Sequence, residues 1–286
     1  MTRRMTLAVP NKGRLVEPTL GLLHDAGLVF EERDRSLVSP VENVPLDILF
    51  VRTGDVVEFV RDGVADLGVT GADLLAESGA SLQVVRRLGY GRCRLAAAVP
   101  RGAPQHEVAE LAGLRVATAH PASTRSFFAG LGIPVEVIAL SGAVEVAPRL
   151  GLADAIVDLV STGSTLAMNG LRPIGDILAS EATLVANPAA TEQRPDELDG
   201  IVTMLGAVLA ARRRKYVLMN APAARRDVLE GLLPGLESPS IVPLAHEGMI
   251  AIHAVVETDE IWDLLPRLKA AGASGILVLP IEKLVA

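Results

Sequence analysis

Short apolar runs alternate with amphipathic segments along most of the chain. The runs are rich in Val, Leu and Ile and end at Gly or Pro, as in TLAVP, LDILFV, LGVTG, LRVATA, VEVIAL and AIVDLV. Such runs are typical of short strands that are buried on both faces. Segments of helical character lie between them, among them 18–26, 55–62 and 123–131. The pattern predicts an α/β fold whose sheets are covered on both sides.

A pattern of glycine, alanine and aspartate recurs at a constant offset of 88 residues. The pairs that share this offset are Gly54 and Gly142, Gly63 and Gly151, Ala65 and Ala153, and Asp66 and Asp154. In each copy a Gly-x-Ala-Asp turn leads into a strand, and the copy ends in Thr-Gly. The repeat predicts two related α/β lobes around a cleft, as in periplasmic binding proteins. Ligands of such folds bind at the carboxyl ends of the strands.

The last third of the chain follows a different order. Its strands are YVLMNAP, PSIVPLA, MIAIHAVV and GILVLPIE, with helices over 223–233 and 259–271. This βαββαβ order predicts a ferredoxin-like domain. The second helix carries an apolar stripe at positions i, i+3, i+4 and i+7, which are Ile261, Leu264, Leu265 and Leu268. With no candidate nucleophile or acid–base pair, this domain is interpreted as regulatory or as an assembly module.

Composition and charge exclude several classes of partner. A net charge of −7 and only 3% aromatic residues argue against nucleic acid. No apolar run approaches the ~20 residues of a membrane span, and the N-terminal stretch MTRRMTLAVPNKGR lacks the apolar core of a signal peptide. The single cysteine, Cys93, suits a reducing compartment. We therefore expect a soluble cytoplasmic protein.

A hydroxyl-rich turn follows the apolar run in DAIVDLVSTGSTLAMNGL, residues 154–171. The run carries one acid, Asp158, and leads into Ser161, Thr162, Gly163, Ser164 and Thr165. Hydroxyl groups donate hydrogen bonds to phosphate, and glycine lets the backbone approach closely. The free N–H groups of the helix that follows add the positive end of its dipole. The order of strand, turn and helix predicts an anion site, although Ser and Thr are also ordinary helix caps.

This stretch resembles the phosphoribosyl-diphosphate loop of phosphoribosyltransferases, and ADAIVDLVSTGSTL is similar to the ATP phosphoribosyltransferase family. Other segments similar to that family are VPNKGRL (9–15), LGVTGADLL (67–75), LGYGRCRLAAAVP (88–100), SGAVEVAPRLGLADAI (141–156) and LKAAGASGILVLPIEKL near the end. They span nearly the whole chain, and its length and βαββαβ tail resemble the long form of the family. One departure is that Asp158 is followed by apolar Leu159, where many phosphoribosyltransferases have two adjacent acids.

The resemblance implies the reaction. N1 of the ATP adenine attacks C1 of 5-phosphoribosyl 1-diphosphate and diphosphate leaves, which is the first step of histidine biosynthesis. It also implies Mg²⁺, feedback inhibition by histidine, and a homo-oligomer that is a dimer or a hexamer. Cations must stabilise the leaving diphosphate, and Lys12 and Arg14 in NKGRL, together with Arg52, are the candidates. The alternative is that these are surface charges.

The resemblance leaves other roles open between candidates. The hydroxyl-rich turn would hold the 5′-phosphate, and Asp158 would hold the ribose hydroxyls together with either Asp154 or Glu145. The residues expected to contact ATP are Arg14, Arg52, Asp73 and Tyr90. Asp73 is equally well placed to cap a helix, and Tyr90 could be a core aromatic.

The expected domains are a first lobe of residues 1–90 with 178–212, a second lobe of residues 91–177, and a regulatory domain of residues 213–286. The stretches PGLESPSIV (234–242) and AAGASGIL (270–277) are candidates for an allosteric histidine site. The residues singled out there are Asn220, Leu236, Ser238 and Ala273.

Two other classes of function fit parts of the pattern. Two lobes around a cleft also describe a solute-binding protein, which here would be cytosolic. A non-catalytic amino-acid sensor would use only the tail. Both readings leave the basic NKGR turn beside a phosphate turn unexplained, and the transferase is therefore favoured.

Overall fold

The computed structural model describes residues 3–31, 36–233, 236 and 238–285. Contacts between Cα atoms divide the chain into two compact units. The first unit consists of Met1–Gly21 and Leu28–Pro195, and the second of Leu22–Gly27 and Asp196–Ala286. The α/β class is confirmed in both units.

The first lobe is a six-stranded sheet in the order β2-β3-β1-β4-β11-β5. Its elements are β1 (Met5–Pro10), α1 (Val16–Asp25), β2 (Val38–Pro40), β3 (Leu46–Val51), α2 (Val56–Arg61), β4 (Leu67–Gly71), α3 (Ala72–Ser78) and β5 (Gln83–Arg87), with β11 (Ala182–Ala186) and α6 (Pro188–Gln193) added later in the chain. β1 runs parallel to β3 and β4, whereas β11 is antiparallel to β4.

The second lobe is a five-stranded sheet in the order β10-β6-β9-β7-β8. Its elements are β6 (Cys93–Pro100), β7 (Arg115–Thr118), α4 (Pro121–Gly130), β8 (Glu136–Ala139), β9 (Ala155–Val160), α5 (Ser164–Met168) and β10 (Leu171–Ser180). Ile156 and Val157 are fully buried in separate apolar clusters on the two faces of β9, as expected for a doubly covered sheet.

The two sheets share one arrangement. In the second lobe β7 runs parallel to β8 and β9, and β6 is antiparallel to β9. The order β8-β7-β9-β6 therefore matches β3-β1-β4-β11 of the first lobe, strand for strand. This agrees with the two related lobes that the sequence repeat predicts.

The chain crosses between the lobes twice, between β5 and β6 and between β10 and β11. The crossings are hydrogen-bonded to each other, since Leu88 N–H donates to Ala182 O at 2.9 Å and Ala182 N–H donates to Tyr90 O at 2.9 Å.

The repeated aspartates have the same role in each lobe. Asp66 accepts a hydrogen bond from Thr6 N–H on β1 at 2.8 Å and pairs with Arg3 at 3.4 Å. Asp154 accepts from Arg115 N–H on β7 at 3.0 Å and pairs with the same arginine at 2.9 Å. Each carboxylate therefore fastens the start of one parallel strand to its neighbour.

The second compact unit contains the predicted ferredoxin-like domain. Its elements are β12 (Arg214–Pro222), α8 (Arg226–Glu230), β13 (Ser240–Pro243), β14 (Met249–Glu257), α9 (Ile261–Ala270) and β15 (Ser274–Pro280), preceded by α7 (Pro195–Arg212). The antiparallel sheet has the order β13-β14-β12-β15. Leu264 and Leu268 of α9 are buried in its core, in line with the predicted stripe.

The long helix α7 departs from the expected division. The sequence predicts residues 178–212 in the first lobe, whereas the contacts group the residues from Asp196 onward with the ferredoxin-like domain. Leu284 N–H, near the C-terminus, donates to Ala207 O at 2.9 Å, so the end of the chain is fastened to α7. Among residues 3–31, 36–233, 236 and 238–285, no helix has the length and hydropathy needed to cross a membrane.

Candidate active site

Two turns from different lobes meet at one side chain. The basic turn, residues 11–15, follows β1, and the hydroxyl turn, residues 161–165, follows β9. Arg14 Nη1 donates to Ser161 Oγ at 3.4 Å, and Arg14 Nη2 donates to Cys93 Sγ at 2.8 Å. The carboxyl ends of the central strands of both lobes therefore face one another here, as expected for a ligand site in paired α/β lobes.

The basic turn is held beside the turn that carries Arg52. Thr53 Oγ1 donates to Lys12 O at 3.1 Å, and Asn11 N–H donates to Val51 O at 2.7 Å. Lys12, Arg14 and Arg52 are all exposed. Because β1 and β3 are parallel neighbours, the three cations gather at one edge of the sheet.

The hydroxyl turn is fixed by its own side chains and by one glycine. Thr162 Oγ1 and Ser164 Oγ are 2.9 Å apart, and Ser164 N–H donates to Thr162 Oγ1 at 3.4 Å. Gly163 has φ of +81°, a value that side chains disfavour. Ser161 and Thr165 are exposed, so their hydroxyl groups are accessible to a ligand.

Asp158 and Glu145 form an acidic pair behind the hydroxyl turn. Asp158 is half-buried on β9 and accepts a hydrogen bond from Leu159 N–H at 2.8 Å. Burial raises the pKa of Asp158, and the charge of Glu145 raises it further, whereas the Leu159 N–H and the charge of His120 act to lower it. The net effect is a raised pKa, which marks a carboxylate held in an unfavourable environment.

Glu145 lies in a short 3-10 helix, Val144–Val146, which begins at a strained residue. Ala143 has φ of +53°, the left-handed region, and is the one non-glycine residue with positive φ in the described ranges. Such conformations cost roughly 1–3 kcal/mol and concentrate at functional sites. The 3-10 helix packs against β9, and Glu145 is close enough to Asp158 for their charges to interact.

Asp154, the other candidate partner for Asp158, lies directly before the first residue of β9, at the end away from the hydroxyl turn. Four residues of extended chain separate the two acids by about 13 Å. Hydrogen bonds from the Arg115 side chain and backbone lower the pKa of Asp154, with burial opposing them. The structure thus does not bring Asp154 to the hydroxyl turn, because Arg115 holds it in the sheet.

Asp73 is a buried connection between the lobes rather than an open ligand-binding acid. Its side chain is only 4% exposed and accepts from Ser180 Oγ, while His120 Nε2 lies 3.5 Å from its Oδ2. Burial acts to raise its pKa, but the hydrogen bonds from His120, Ser180 and its own backbone outweigh burial and lower it. The helix-cap alternative does not hold either, because the cap of α3 is Gly71.

Tyr90 positions the basic turn from behind. Its hydroxyl lies 2.7 Å from Thr19 Oγ1, and Thr19 Oγ1 donates to Leu15 O at 2.6 Å. The half-buried ring is thus linked to the start of α1, which agrees with the core alternative for this residue.

A cavity of about 240 Å³ lies between the basic turn and the second lobe. Its polar side chains are those of Arg14, Thr53, Asp73 and His120, and its apolar ones are those of Leu15, Leu74 and Leu159. His120 was missed by the sequence analysis, although it follows the apolar run LRVATA and therefore stands at the carboxyl end of a strand, as do Arg14 and Ser161. Among the residues that the structure describes, no group of three or more His, Cys, Asp or Glu side chains is placed to hold a metal ion.

The expected histidine-site residues all lie in the ferredoxin-like domain. Asn220 is half-buried on β12, and its carbonyl accepts from Ser274 Oγ at 3.3 Å. Ala273 is buried before β15, whereas Leu236 and Ser238 are exposed. Of the stretch 234–242, Pro234, Gly235 and Glu237 lie outside the described residues.

Comparisons with known proteins find relatives over nearly the full length of this chain. The family described as ATP phosphoribosyltransferase matches residues 52–207, and the "HisG, C-terminal domain" family matches residues 211–283. The chain belongs to the ATP phosphoribosyltransferase family. An ATP phosphoribosyltransferase of Gemmatimonas aurantiaca is 45% identical, and one of Phocaeicola vulgatus is 39% identical, each covering 98% of this chain and 99% of the relative.

One solved structure of the same family is similar as well. It is the ATP phosphoribosyl transferase (HisG:HisZ) complex of Thermotoga maritima, 32% identical, with a TM-score of 0.62 over 71% of this chain and 96% of that one. Both family regions are present here, which confirms the long form that the sequence resembles. The protein is therefore a transferase of histidine biosynthesis, and the solute-binding and sensor alternatives are not favoured.

Proposed function

We propose that the site between the basic turn and the hydroxyl turn transfers the phosphoribosyl group of 5-phosphoribosyl 1-diphosphate to N1 of ATP. The C1–N1 bond forms as the bond from C1 to the diphosphate oxygen breaks. The contact of Arg14 with Ser161 carries the proposal, because it joins a cation of one lobe to the phosphate-type turn of the other.

The donor would lie across both turns. The hydroxyl turn receives the 5′-phosphate through the hydroxyls of 161–165 and the backbone N–H groups that follow Gly163. Asp158 then accepts hydrogen bonds from the ribose hydroxyls. Glu145 is favoured over Asp154 as its partner, since Glu145 interacts with Asp158 electrostatically and Asp154 is bound to Arg115.

Lys12, Arg14 and Arg52 would hold the leaving diphosphate, whose negative charge grows as its bond to C1 lengthens. Fixed cations that meet developing charge stabilise the transition state more than the ground state. Magnesium fits this site as a companion of the donor. The described residues offer no three-ligand cluster, and Mg²⁺ commonly takes most of its ligands from phosphates and water. When bound it would neutralise part of the diphosphate charge, while the three cations hold the remaining oxygens.

Asp73 and Tyr90 would act on ATP only indirectly. Asp73 holds His120 and Ser180 at the junction of the lobes, and Tyr90 fixes the start of α1 beneath Arg14. Arg14 and Arg52 remain the direct contacts proposed for ATP, beside their role toward the diphosphate.

The ferredoxin-like domain would sense histidine and take part in a homo-oligomer. Asn220, Leu236, Ser238 and Ala273 are the proposed contacts for histidine. Inhibition from that domain requires histidine to favour one arrangement of the protein over another. A cytoplasmic location is proposed from the use of ATP in biosynthesis.

The test is product formation. Incubation of the full chain with ATP, the donor and Mg²⁺ should yield phosphoribosyl-ATP and diphosphate in equal amounts, measured by mass spectrometry and a coupled phosphate assay. Binding of both compounds without turnover would instead favour a binding protein.

A further inference from the structure

A second cavity, of about 310 Å³, lies at the junction where the chain crosses between the lobes. Two arginines line it, Arg87 at the end of β5 and Arg92 just before β6, together with Cys93, Ser180 and Glu181. None of the five has a place in the mechanism given above except through Arg14 and Asp73. The proposed transfer reaction therefore leaves this cavity without an assigned role.

The two guanidinium groups converge on one carboxylate without satisfying it. Arg87 Nη1 and Arg92 Nε each lie 3.7 Å from an oxygen of Glu181. Charge-assisted hydrogen bonds are about 2.7–2.9 Å long, so these ion pairs leave the N–H donors unused. The arginine side chains are 80% and 76% exposed, whereas Glu181 is 17% exposed. Glu181 thus holds two cations together at the mouth of the cavity, and the local charge stays positive.

This cavity adjoins the reaction site through Arg14. Cys93 in its wall accepts from Arg14 Nη2 at 2.8 Å, and the other arm of Arg14 reaches Ser161 of the hydroxyl turn. Ser180 in the same wall donates to Asp73, which lines the 240 Å³ cavity. The two cavities are therefore joined by two side-chain contacts, Arg14 with Cys93 and Asp73 with Ser180.

We propose that Arg87 and Arg92 bind the triphosphate of ATP. The inference rests on the proposed function and extends it to the second substrate. The triphosphate carries about four negative charges, and Lys12, Arg14 and Arg52 already face the leaving diphosphate. Paired guanidinium groups suit phosphate oxygens because each presents two parallel N–H donors. The adenine lies in the cavity lined by Leu15, Leu74 and Leu159, next to the donor.

The first test separates the two substrates kinetically. In the double variant Arg87→Ala/Arg92→Ala, the KM for ATP should rise at least tenfold. The KM for the phosphoribosyl donor and kcat should stay within about twofold. A protein with Arg87→Ala and Arg92→Lys should have a lower KM for ATP than the double alanine variant, because lysine restores one positive charge. Arg61→Ala is the matched control, because Arg61 is an exposed arginine paired with Asp62 on α2. A double variant whose KM for ATP equals that of the control would overturn the proposal.

The second test uses the only cysteine as a reporter. Cys93 is half-exposed in the cavity wall, so a thiol-reactive aromatic disulfide labels this one position. ATP, and inorganic tripolyphosphate as a probe without adenine, should slow labelling of the wild-type protein but not of the double variant. Equal protection in both proteins would contradict the proposal. Protection that depends on the arginines, in a protein that makes no phosphoribosyl-ATP, would instead refute the proposed transfer and leave the polyphosphate site in place.

Discussion

Replacing Asp158 by asparagine should change stability and activity in opposite directions. Burial and Glu145 raise the pKa of this carboxyl, so its ionised form destabilises the fold at neutral pH. Each unit of upward shift corresponds to about 1.4 kcal/mol. Asparagine has the same shape, can still accept the hydrogen bond from Leu159 N–H and carries no charge. We therefore expect the Asp158→Asn protein to be more stable than the wild type at pH 7.

The pH dependence of this gain follows from the direction of the shift. Below the ordinary pKa of 3.8, Asp158 is neutral in both the folded and the unfolded chain, and the two proteins should differ little. As the pH rises through 3.8 and then through the raised folded pKa, the wild type loses stability relative to the variant. Urea midpoints measured from pH 4 to pH 8 with unchanged m-values would record the difference. Glu145→Gln should reduce it, because part of the shift comes from that charge.

Activity should fall in the same variant. A hydrogen bond from a ribose hydroxyl to a carboxylate contributes about 1.5–3 kcal/mol, which is roughly a 10- to 150-fold loss in kcat/KM for the donor. Asp154→Asn, just before the same strand, is the matched control. Its pKa is lowered by Arg115, so this variant should lose stability at neutral pH and keep its substrate constants. A destabilised Asp158→Asn protein, or one with wild-type kcat/KM, would refute the reasoning.

Three further outcomes are expected. Arg14→Ala should lower kcat/KM by the equivalent of about 2–4 kcal/mol without changing the circular dichroism spectrum, and a wild-type rate would remove Arg14 from the chemistry. Gly163→Val should strongly raise the KM for the donor but not the KM for ATP, because valine disfavours φ of +81° and would distort the hydroxyl turn. Unchanged donor kinetics would mean that the 5′-phosphate binds elsewhere. Asn220→Ala should weaken inhibition by histidine in steady-state assays while leaving uninhibited turnover intact, and unaltered inhibition would exclude this residue.

Much of the fold could be predicted from short-range pattern. The alternation of apolar runs with amphipathic segments corresponds to the strands and helices of both lobes, and the βαββαβ order of the tail is found in the second unit. The grouping of α7 could not be predicted in this way. It depends on contacts such as that between Leu284 and Ala207, which are far apart in the sequence.

The site residues also differ in whether local sequence or distant contacts determine their roles. Arg14 and the hydroxyl turn are local signals, because each is a turn at the carboxyl end of a strand. Asp73 could not be assigned from its neighbours, since its partners His120 and Ser180 arrive from other parts of the chain. The structural role of Asp154 could have been inferred from the internal repeat. Its counterpart Asp66 has no phosphate turn nearby in sequence, which indicates a structural role for both aspartates.

The most direct test of the account is a structure of the protein with 5-phosphoribosyl 1-diphosphate bound. The account predicts that the 5′-phosphate accepts hydrogen bonds from the backbone and hydroxyls of residues 161–165. The ribose hydroxyls should contact Asp158, and the diphosphate should lie against Lys12 and Arg14. A donor whose 5′-phosphate lies away from the hydroxyl turn, or whose ribose hydroxyls contact Asp154, would contradict it.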